Sequence, residues 1–196
     1  MSWINVFCEI KLLRSCREGC WVSVMNDPAE IRPICKADIP SVIELLHSEG
    51  MNYGSVELHQ SFFHKVLIGG EIAGCVAVIP RRGFSEIKSL VVLKKYRSFS
   101  IFSKISDFVT YKSLQQNNPC VVVKVNKYNS ATLLYRRRRF VPLTKERYED
   151  IYNQLRADCI ACHIIVQSIC HPVYMVIDTR ITPYDIKEWQ AKVGEV

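Results

Sequence analysis

The sequence lacks the two features that would place the chain in a membrane or export it. No apolar run approaches the roughly 18 residues that a membrane-spanning helix needs. The first 25 residues do not follow the order of a signal peptide, in which a basic start precedes an apolar middle and a small-residue cleavage site. We therefore expect a cytoplasmic protein with no membrane partner, whose nine cysteines are thiols or metal ligands and not disulfides.

Internal repeats and low-complexity tracts are also missing, so the sequence does not indicate a repeat architecture. A length of 196 residues with 48% apolar and 23% charged residues suits one globular domain. The net charge of +7 favours an anionic partner, which could be nucleic acid, an acidic membrane or a polyphosphate cofactor. The basic clusters lie beside apolar segments, and aromatic residues are not interleaved with the arginines as they are on single-strand-binding surfaces. Nucleic acid is therefore the less favoured partner.

Residues 1–28 differ from the rest of the chain, because they show no clean hydrophobic period and contain three cysteines. We expect a poorly ordered N-terminal extension there, and the alternative that it adds a strand to the domain stays open. Residues 29–180 alternate between strand and helix signals, which predicts one domain. Residues 181–196 are the predicted C-terminal tail.

Hydrophobic periods and turn residues divide the domain into short elements. Helix signals lie at 38–50, where Ile39, Val42, Ile43 and Leu46 share one face, at about 56–64, at 100–115, after Asn129 and at 145–155. Strand signals lie at 30–34, on both sides of a Gly69–Gly70 turn, at 84–93, at 119–125, at 140–143 and at 172–179. This order predicts a mixed α/β (α+β) fold with a mostly antiparallel sheet and helices on its faces.

The segment "VVLKKYRSFSIFSKISDFV", residues 91–109, carries the signals of a phosphate site but no glycine. A strand ends in a basic turn, and a helix begins, so unpaired N–H groups and the helix dipole face the turn. Lys95 and Arg97 add full positive charges. A second strand ends where the helix after Asn129 begins, and two such neighbouring strands would open a cleft. An anionic ligand is therefore expected at residues 94–102.

Three segments in this order and spacing carry a resemblance to a known family. They are "IRPICKADIPSVIELL", "EIKSLVVLKKYRSFSIFSKI" and "NSATLLYRRRRF". Together they resemble the opening strand and helix, the cofactor strand and loop, and the last motif of the GCN5-related N-acetyltransferase (GNAT) superfamily, over about residues 30–178. The tail "DCIACHIIVQSICHPVYMVID" resembles members labelled N-acetylglutamate synthase-like, which have a cysteine-rich C-terminus.

The resemblance implies acetyl-CoA as cosubstrate and a set of residues that hold it. The backbone of Leu90, Val91 and Val92 would pair with the pantetheine arm as an added strand. The turn would wrap the pyrophosphate through Arg97, Ser98, Phe99, Ser100, Ile101 and Phe102. Asn129 would bond the cofactor near its thioester. The run Arg136–Arg139 reads as a solvated helix end, with a contact to the cofactor's ribose phosphate as the alternative.

The resemblance also implies catalytic roles for Glu86 and Tyr135. Glu86 would take a proton from the substrate ammonium, and Tyr135 would protonate the leaving thiolate. A backbone N–H of Val91 or Val92 would stabilise the oxyanion. Each residue also has a plain structural interpretation, in which Glu86 is a solvated strand residue and Tyr135 packs in the core.

The chain departs from the family pattern where glycine is usual. Ser100 and Phe102 replace the central loop glycine and the small residue after it. The side chain of Ser100 limits how closely the backbone approaches a pyrophosphate. Arg139 replaces the glycine before the last Phe, where a helix normally ends through a left-handed residue.

The cysteine-rich stretch offers zinc ligand types without a clear zinc pattern. Zinc could be bound by Cys159, Cys162 and Cys170 with His163 or His171. The same residues are equally consistent with thiols in the core or with a redox-sensitive pair. We predict no metal site.

The sequence thus predicts an acetyl-CoA-dependent N-acetyltransferase that acts on a small-molecule amine or amino acid by direct attack in a ternary complex. One alternative is a catalytically degenerate binding or interaction module of the same fold. A second is a basic, nucleic-acid-associated protein. Assembly as a homodimer is left open.

Overall fold

A computed structural model describes residues 29–127, 129, 131–160 and 171–181. The predictions for the N-terminal extension, for the tail beyond residue 181, and for Cys162, His163 and Cys170 lie outside the described residues. Within these ranges, no helix has the length and apolar character that a membrane crossing requires.

The described residues form one seven-stranded sheet in the order β1-β2-β3-β4-β5-β7-β6. The strands are β1 (Glu30–Pro33), β2 (Phe63–Ile68), β3 (Glu71–Arg81), β4 (Phe84–Val92), β5 (Cys120–Asn126), β6 (Val141–Pro142) and β7 (Pro172–Asp178). Neighbouring strands pair antiparallel except β4 and β5, which are parallel. The predicted mixed, mostly antiparallel α/β fold is confirmed.

Helices cover both faces of this sheet. They are α1 (Ile39–Ser48), α2 (Phe99–Gln115), α3 (Ala131–Arg137) and α4 (Glu149–Ile160). One core joins α2 and α3 to side chains such as Val76, Ile87 and Val123. On the opposite face, α1 and α4 cover two further cores that contain Ile79 and Val122. The sheet therefore separates an α2/α3 face from an α1/α4 face.

The Gly69–Gly70 turn forms as predicted and joins β2 to β3. Both glycines have positive φ, 58° and 80°, the backbone that a tight two-residue hairpin turn needs. The predicted helix at about Val56 to His64 is wrong. Residues 54–59 form turns, Gln60–Phe62 is a short 3-10 segment, and Phe63 and His64 are already the first residues of β2.

The strand replaces the helix because its backbone has partners on both sides. Phe63 and His64 lie opposite Ala77 and Val76 of β3. On the other side, the Phe63 carbonyl accepts a bond from the Ile34 N–H at 3.2 Å. A helix through these residues would remove the pairing of His64 with Pro33 of β1 and of both residues with β3, and local propensity does not include such tertiary pairing.

Candidate active site

The two parallel strands at the centre of the sheet separate part of the way along. β4 and β5 pair over Ser85–Ile87 and Val121–Val123, although β4 continues to Val92 and β5 to Asn126. Beyond the last pair the strands enclose a gap, and Leu90 and Val92 are partly exposed in the middle of the sheet. A gap between two central strands leaves strand-edge backbone available for a ligand.

A β-bulge in β4 accompanies this separation. The register between β3 and β4 shifts between Cys75 and Ala77, where β4 carries one extra residue. Ser89 lies at the bulge with a φ of 50°. Gly74 allows the close approach, since a Cβ there would lie 2.4 Å from the Val91 carbonyl oxygen. Bulges bend the strand that contains them, and this one lies directly after the last residue of β4 that pairs with β5. Sequence reasoning missed it, although a glycine inside a strand pattern was a usable signal.

Backbone alternation decides which N–H groups of β4 face the gap. The Leu93 N–H donates to the Ala73 carbonyl at 2.8 Å. Hydrogen-bonded pairs alternate along an antiparallel ladder, so Val91 bonds Cys75 in the same way. The polar backbone groups of Val92 then face away from β3, and its carbonyl accepts a bond from Arg97 Nε at 2.8 Å. Of the two predicted oxyanion donors, the Val92 N–H faces the gap, whereas the Val91 N–H faces β3.

The N-terminus of α2 lies after the end of β4. Ser98 caps the helix by accepting the Ile101 N–H at 3.3 Å, and its Oγ lies 2.9 Å from Ser100 Oγ. The N–H groups of Phe99 and Ser100 have no acceptor within the described part of the chain. Ser100 is not among the described residues with positive φ, so this backbone does not require glycine. The remaining disadvantage of Ser100 in place of glycine is its Cβ, which limits how closely the backbone approaches a phosphate.

The guanidinium of Arg97 is bonded to groups outside this helix start. Its Nη2 donates to Glu49 Oε2 at 2.5 Å, and the two side chains are 26% and 15% exposed. Glu49 follows the last residue of α1, so Arg97 joins α1 to the end of β4. Lys95 pairs instead with the exposed Glu71 at 3.5 Å.

The helix that follows β5 presents the other predicted cofactor residues. Asn129 caps α3, because its Oδ1 accepts the Ala131 N–H at 2.7 Å. Tyr135 is buried and packs edge-on against Phe102 and Phe140, with ring centroids 5.1 and 5.2 Å apart. Burial raises the pKa of the Tyr135 phenol, so the hydroxyl keeps its proton at neutral pH.

The arginine run after Tyr135 brings a cation to α2. The Arg137 guanidinium lies over the Phe99 ring, 5.8 Å from its centroid. Arg137 thus reaches the first residue of the helix whose N–H groups form the candidate phosphate site. The sequence alone did not distinguish it from its neighbours in the run.

Glu86 lies on the opposite, α1/α4 face and is 2% exposed. Its Oε2 accepts from Arg81 Nε and Nη2 at 3.1 and 2.9 Å, and Lys88 Nζ lies 3.8 Å away. Arg81 also donates to Asp158 of α4 at 2.9 Å. The bonds to Glu86 all go to Oε2, and no hydrogen bond or ion pair to Oε1 occurs among the described residues. The expectation of a solvated strand residue is therefore wrong: Glu86 is a buried, ion-paired carboxylate.

No cluster of three or more His, Cys, Asp or Glu side chains able to hold a metal ion occurs within the described ranges. Cys75 and Cys120 are buried thiols. Cys159 is partly buried, with Sγ 3.1 Å from Tyr174 Oη and 3.8 Å from Lys124 Nζ.

Known proteins resemble this chain in structure and not in sequence. No protein-family model matches the chain, and no curated protein sequence matches it. N-acetylglutamate synthase from Neisseria gonorrhoeae, in complex with coenzyme A and N-acetyl-glutamate, is similar over 79% of this chain with a TM-score of 0.61 and 16% identity. The match spans 36% of that synthase.

Two further structures match over most of their own length. Rv2747 from Mycobacterium tuberculosis, in complex with CoA, has a TM-score of 0.58 and 16% identity over 76% of this chain and 98% of its own. A GNAT-family acetyltransferase from Staphylococcus aureus Mu50 has a TM-score of 0.57 and 15% identity over 77% of this chain and 99% of its own. The chain therefore has the fold of the GNAT acetyltransferases. Its assignment to an N-acetylglutamate synthase-like subgroup stays a prediction.

Proposed function

We propose that this chain is an acetyl-CoA-dependent N-acetyltransferase that acetylates the amine of a small molecule or amino acid. The observation that carries the proposal is the gap between β4 and β5, which lies beside the N-terminus of α2. The gap offers strand-edge backbone to a pantetheine arm, and the helix offers N–H groups to a pyrophosphate. Two of the similar structures, which share this fold, hold coenzyme A.

In this proposal, backbone groups of β4 and α2 bind most of the cofactor, and side chains contribute less. The Val92 backbone, facing the gap, would bond the pantetheine, while Leu90 and Val92 side chains would flank it. The N–H groups of Phe99 and Ser100 would receive the pyrophosphate. Arg137 would supply the nearby cation, because the Arg97 guanidinium is bonded to Glu49.

The chemistry requires a base, an oxyanion donor and an acid. Acetyl-CoA would supply the thioester: the amine nitrogen would bond to its carbonyl carbon to give an oxyanion, and the C–S bond would then break to release the thiolate. Glu86 would receive the ammonium proton, the Val92 N–H would stabilise the oxyanion, and Tyr135 would protonate the thiolate. Glu86 and Tyr135 lie on opposite faces of the sheet, which fits an amine and a cofactor that meet through the gap.

Thermal unfolding with added ligand tests the cofactor site. Acetyl-CoA and coenzyme A should both raise the melting temperature of the full chain at millimolar concentration, because a ligand that binds the folded state stabilises it. A thiol-release assay across a panel of amines then tests transfer. Absence of stabilisation by either ligand would overturn the proposal.

Replacement of Tyr135 tests the general acid. Tyr135→Phe should lower kcat by about 100-fold, since a positioned acid contributes a factor of this order. The dissociation constant of coenzyme A should change by less than about twofold, because the ring and its packing are kept. Tyr152→Phe, a partly buried residue of α4 that packs against the core of the α1/α4 face, is the matched control and should keep wild-type kcat. Equal kcat in Tyr135→Phe and wild type would remove Tyr135 as the acid.

A catalytically degenerate binding module is the second candidate. The observations that favour it are the Arg97–Glu49 ion pair and Ser100 in the place of a glycine. Stabilisation by coenzyme A without thiol release from any amine would support this function over catalysis.

A further inference from the structure

Two lysines stand opposite each other where the gap begins. The last parallel pair joins Ile87 of β4 to Val123 of β5. Lys88 and Lys124 are the next residues on the two strands, so their backbones border the start of the gap from both sides. Lys88 is 34% exposed at its side chain, and Lys124 is exposed.

Both lysine side chains lie on the same face of the sheet as Glu86. Lys88 Nζ is 3.8 Å from Glu86 Oε2, and Lys124 Nζ is 3.8 Å from the Cys159 thiol of α4. The candidate phosphate site belongs to α2, on the other face. A cofactor that enters from the α2 side leaves the α1/α4 face for the acceptor amine.

The charged side chains on this face are complementary to an acceptor that carries both an amine and a carboxylate. Arg81 lies closer to Glu86 than Lys88 does, at 2.9 Å against 3.8 Å, and it also binds Asp158. Arg81 therefore binds Asp158 and the Oε2 atom of Glu86, and the Oε1 atom of Glu86 has no hydrogen bond among the described residues. Lys88 and Lys124 add two further cations on this face, on the residues that follow the last β4–β5 pair.

We propose that the acceptor is an amino-acid-type molecule, whose carboxylate is bound by Lys88 and Lys124 while its amine lies beside Glu86. This proposal rests on the proposed acetyltransferase function. A zwitterion satisfies both signs of charge at this site, whereas a polyamine would meet two ammonium groups of like charge. The two lysines are binding residues for the acceptor and do not take part in bond making.

Matched acceptors test the proposal through thiol release by the full chain. Alanine and alaninamide carry the same amine and differ in the carboxylate. For each acceptor, the ratio of kcat/KM in a variant to that in wild type cancels the intrinsic difference between the two amines. Lys88→Met and Lys124→Met should each lower kcat/KM for alanine by about tenfold, since a bond to a charged group is lost. The same variants should change the value for alaninamide by less than about twofold.

Three controls separate this result from a general loss of function. Lys88→Arg and Lys124→Arg keep the charge and should retain most activity on alanine. Lys145→Met removes an exposed lysine that precedes α4 and pairs with Glu149, the first residue of that helix. It should change kcat/KM for neither acceptor. Thermal stabilisation by coenzyme A should be the same in all variants. Equal losses on both acceptors, with coenzyme A binding intact, would overturn the acceptor proposal and leave the acetyltransferase function standing. Failure of the wild type to bind coenzyme A would overturn both.

Discussion

At the scale of single residues, Arg139 occupies a position that normally belongs to glycine. The Phe140 N–H bonds the Tyr135 carbonyl at 3.0 Å, and the Arg139 N–H bonds the Arg136 carbonyl at 3.0 Å, which is the Schellman ending of α3. Arg139 has a φ of 64°, a left-handed backbone that costs a residue with a Cβ about 1 kcal/mol. Arg139→Gly should therefore raise the free energy of unfolding by about 1 kcal/mol in urea titrations. Arg136→Gly, within α3, should lower it by about 1 kcal/mol. A loss of stability in both variants would contradict this reading.

His64 is a second residue whose effect can be isolated. It is buried on β2, its ring lies edge-on to Phe108 with centroids 4.8 Å apart, and its Nδ1 is 3.2 Å from the Phe62 carbonyl oxygen. Burial, with a smaller contribution from the Lys112 ammonium, lowers the pKa of His64 from 6.5 to about 4. The unfolded chain therefore takes up a proton at a higher pH than the folded chain does. This difference in pKa makes the folded state less stable as the pH falls.

The free energy of unfolding should thus decrease between pH 6.5 and pH 4, by up to about 3 kcal/mol from His64. Urea titrations at several pH values would measure this decrease. His64→Gln should show a smaller decrease over the same range, because its side chain does not titrate. His47→Gln, at an exposed position of α1, should keep the wild-type decrease. An identical pH dependence in His64→Gln and wild type would contradict the assignment.

At the scale of elements, the bulge in β4 depends on the small size of Gly74. A Cβ at this position would lie 2.4 Å from the Val91 carbonyl oxygen and 3.1 Å from the Val92 Cα, both backbone atoms of β4. Gly74→Ala should therefore lower the free energy of unfolding by about 2 kcal/mol, the usual cost of overpacking. It should also weaken coenzyme A binding, since the end of β4 must move. Gly54→Ala, where the nearest atom is 3.6 Å away, is the control for both measurements. Unchanged stability in Gly74→Ala would show that the bulge does not need glycine.

The elements also show what a sequence can and cannot predict. The Gly69–Gly70 hairpin, the strand at 119–125 and the helix after Asn129 were predicted correctly, because their signals are local. The helix at 56–64 was wrong because pairing with β1 and β3, distant in sequence, determines the backbone of Phe63 and His64. The partner of Arg97 was also beyond prediction, since Glu49 lies 48 residues away. The motifs predict which segments form the candidate site, whereas the direction of each side chain depends on such long-range contacts.

At the scale of the whole molecule, the Arg97–Glu49 ion pair joins elements from the two faces of the sheet at the candidate site. Arg97 precedes α2, whose N-terminus is the proposed pyrophosphate site. Glu49 follows α1, which covers the opposite face. A phosphate that binds Arg97 would have to compete with Glu49 for its guanidinium. The ion pair therefore determines how much of the positive charge of the loop is available to a cofactor.

Removal of Glu49 tests this competition. Glu49→Gln takes away the carboxylate that holds Arg97 and should tighten coenzyme A binding by about threefold to tenfold, since a partly buried ion pair contributes about 1 kcal/mol. Isothermal titration would measure the dissociation constant at fixed salt concentration. Arg97→Gln should not tighten coenzyme A binding, so its dissociation constant should rise or stay the same. Glu44→Gln, at an exposed position of α1, should leave the dissociation constant unchanged. Weaker binding in Glu49→Gln would instead mean that the ion pair holds the end of β4 and the start of α2 in the geometry that binding requires. Arg97 would then act through its contacts with Glu49 and the Val92 carbonyl, and the phosphate would depend on the Phe99 and Ser100 N–H groups and on Arg137.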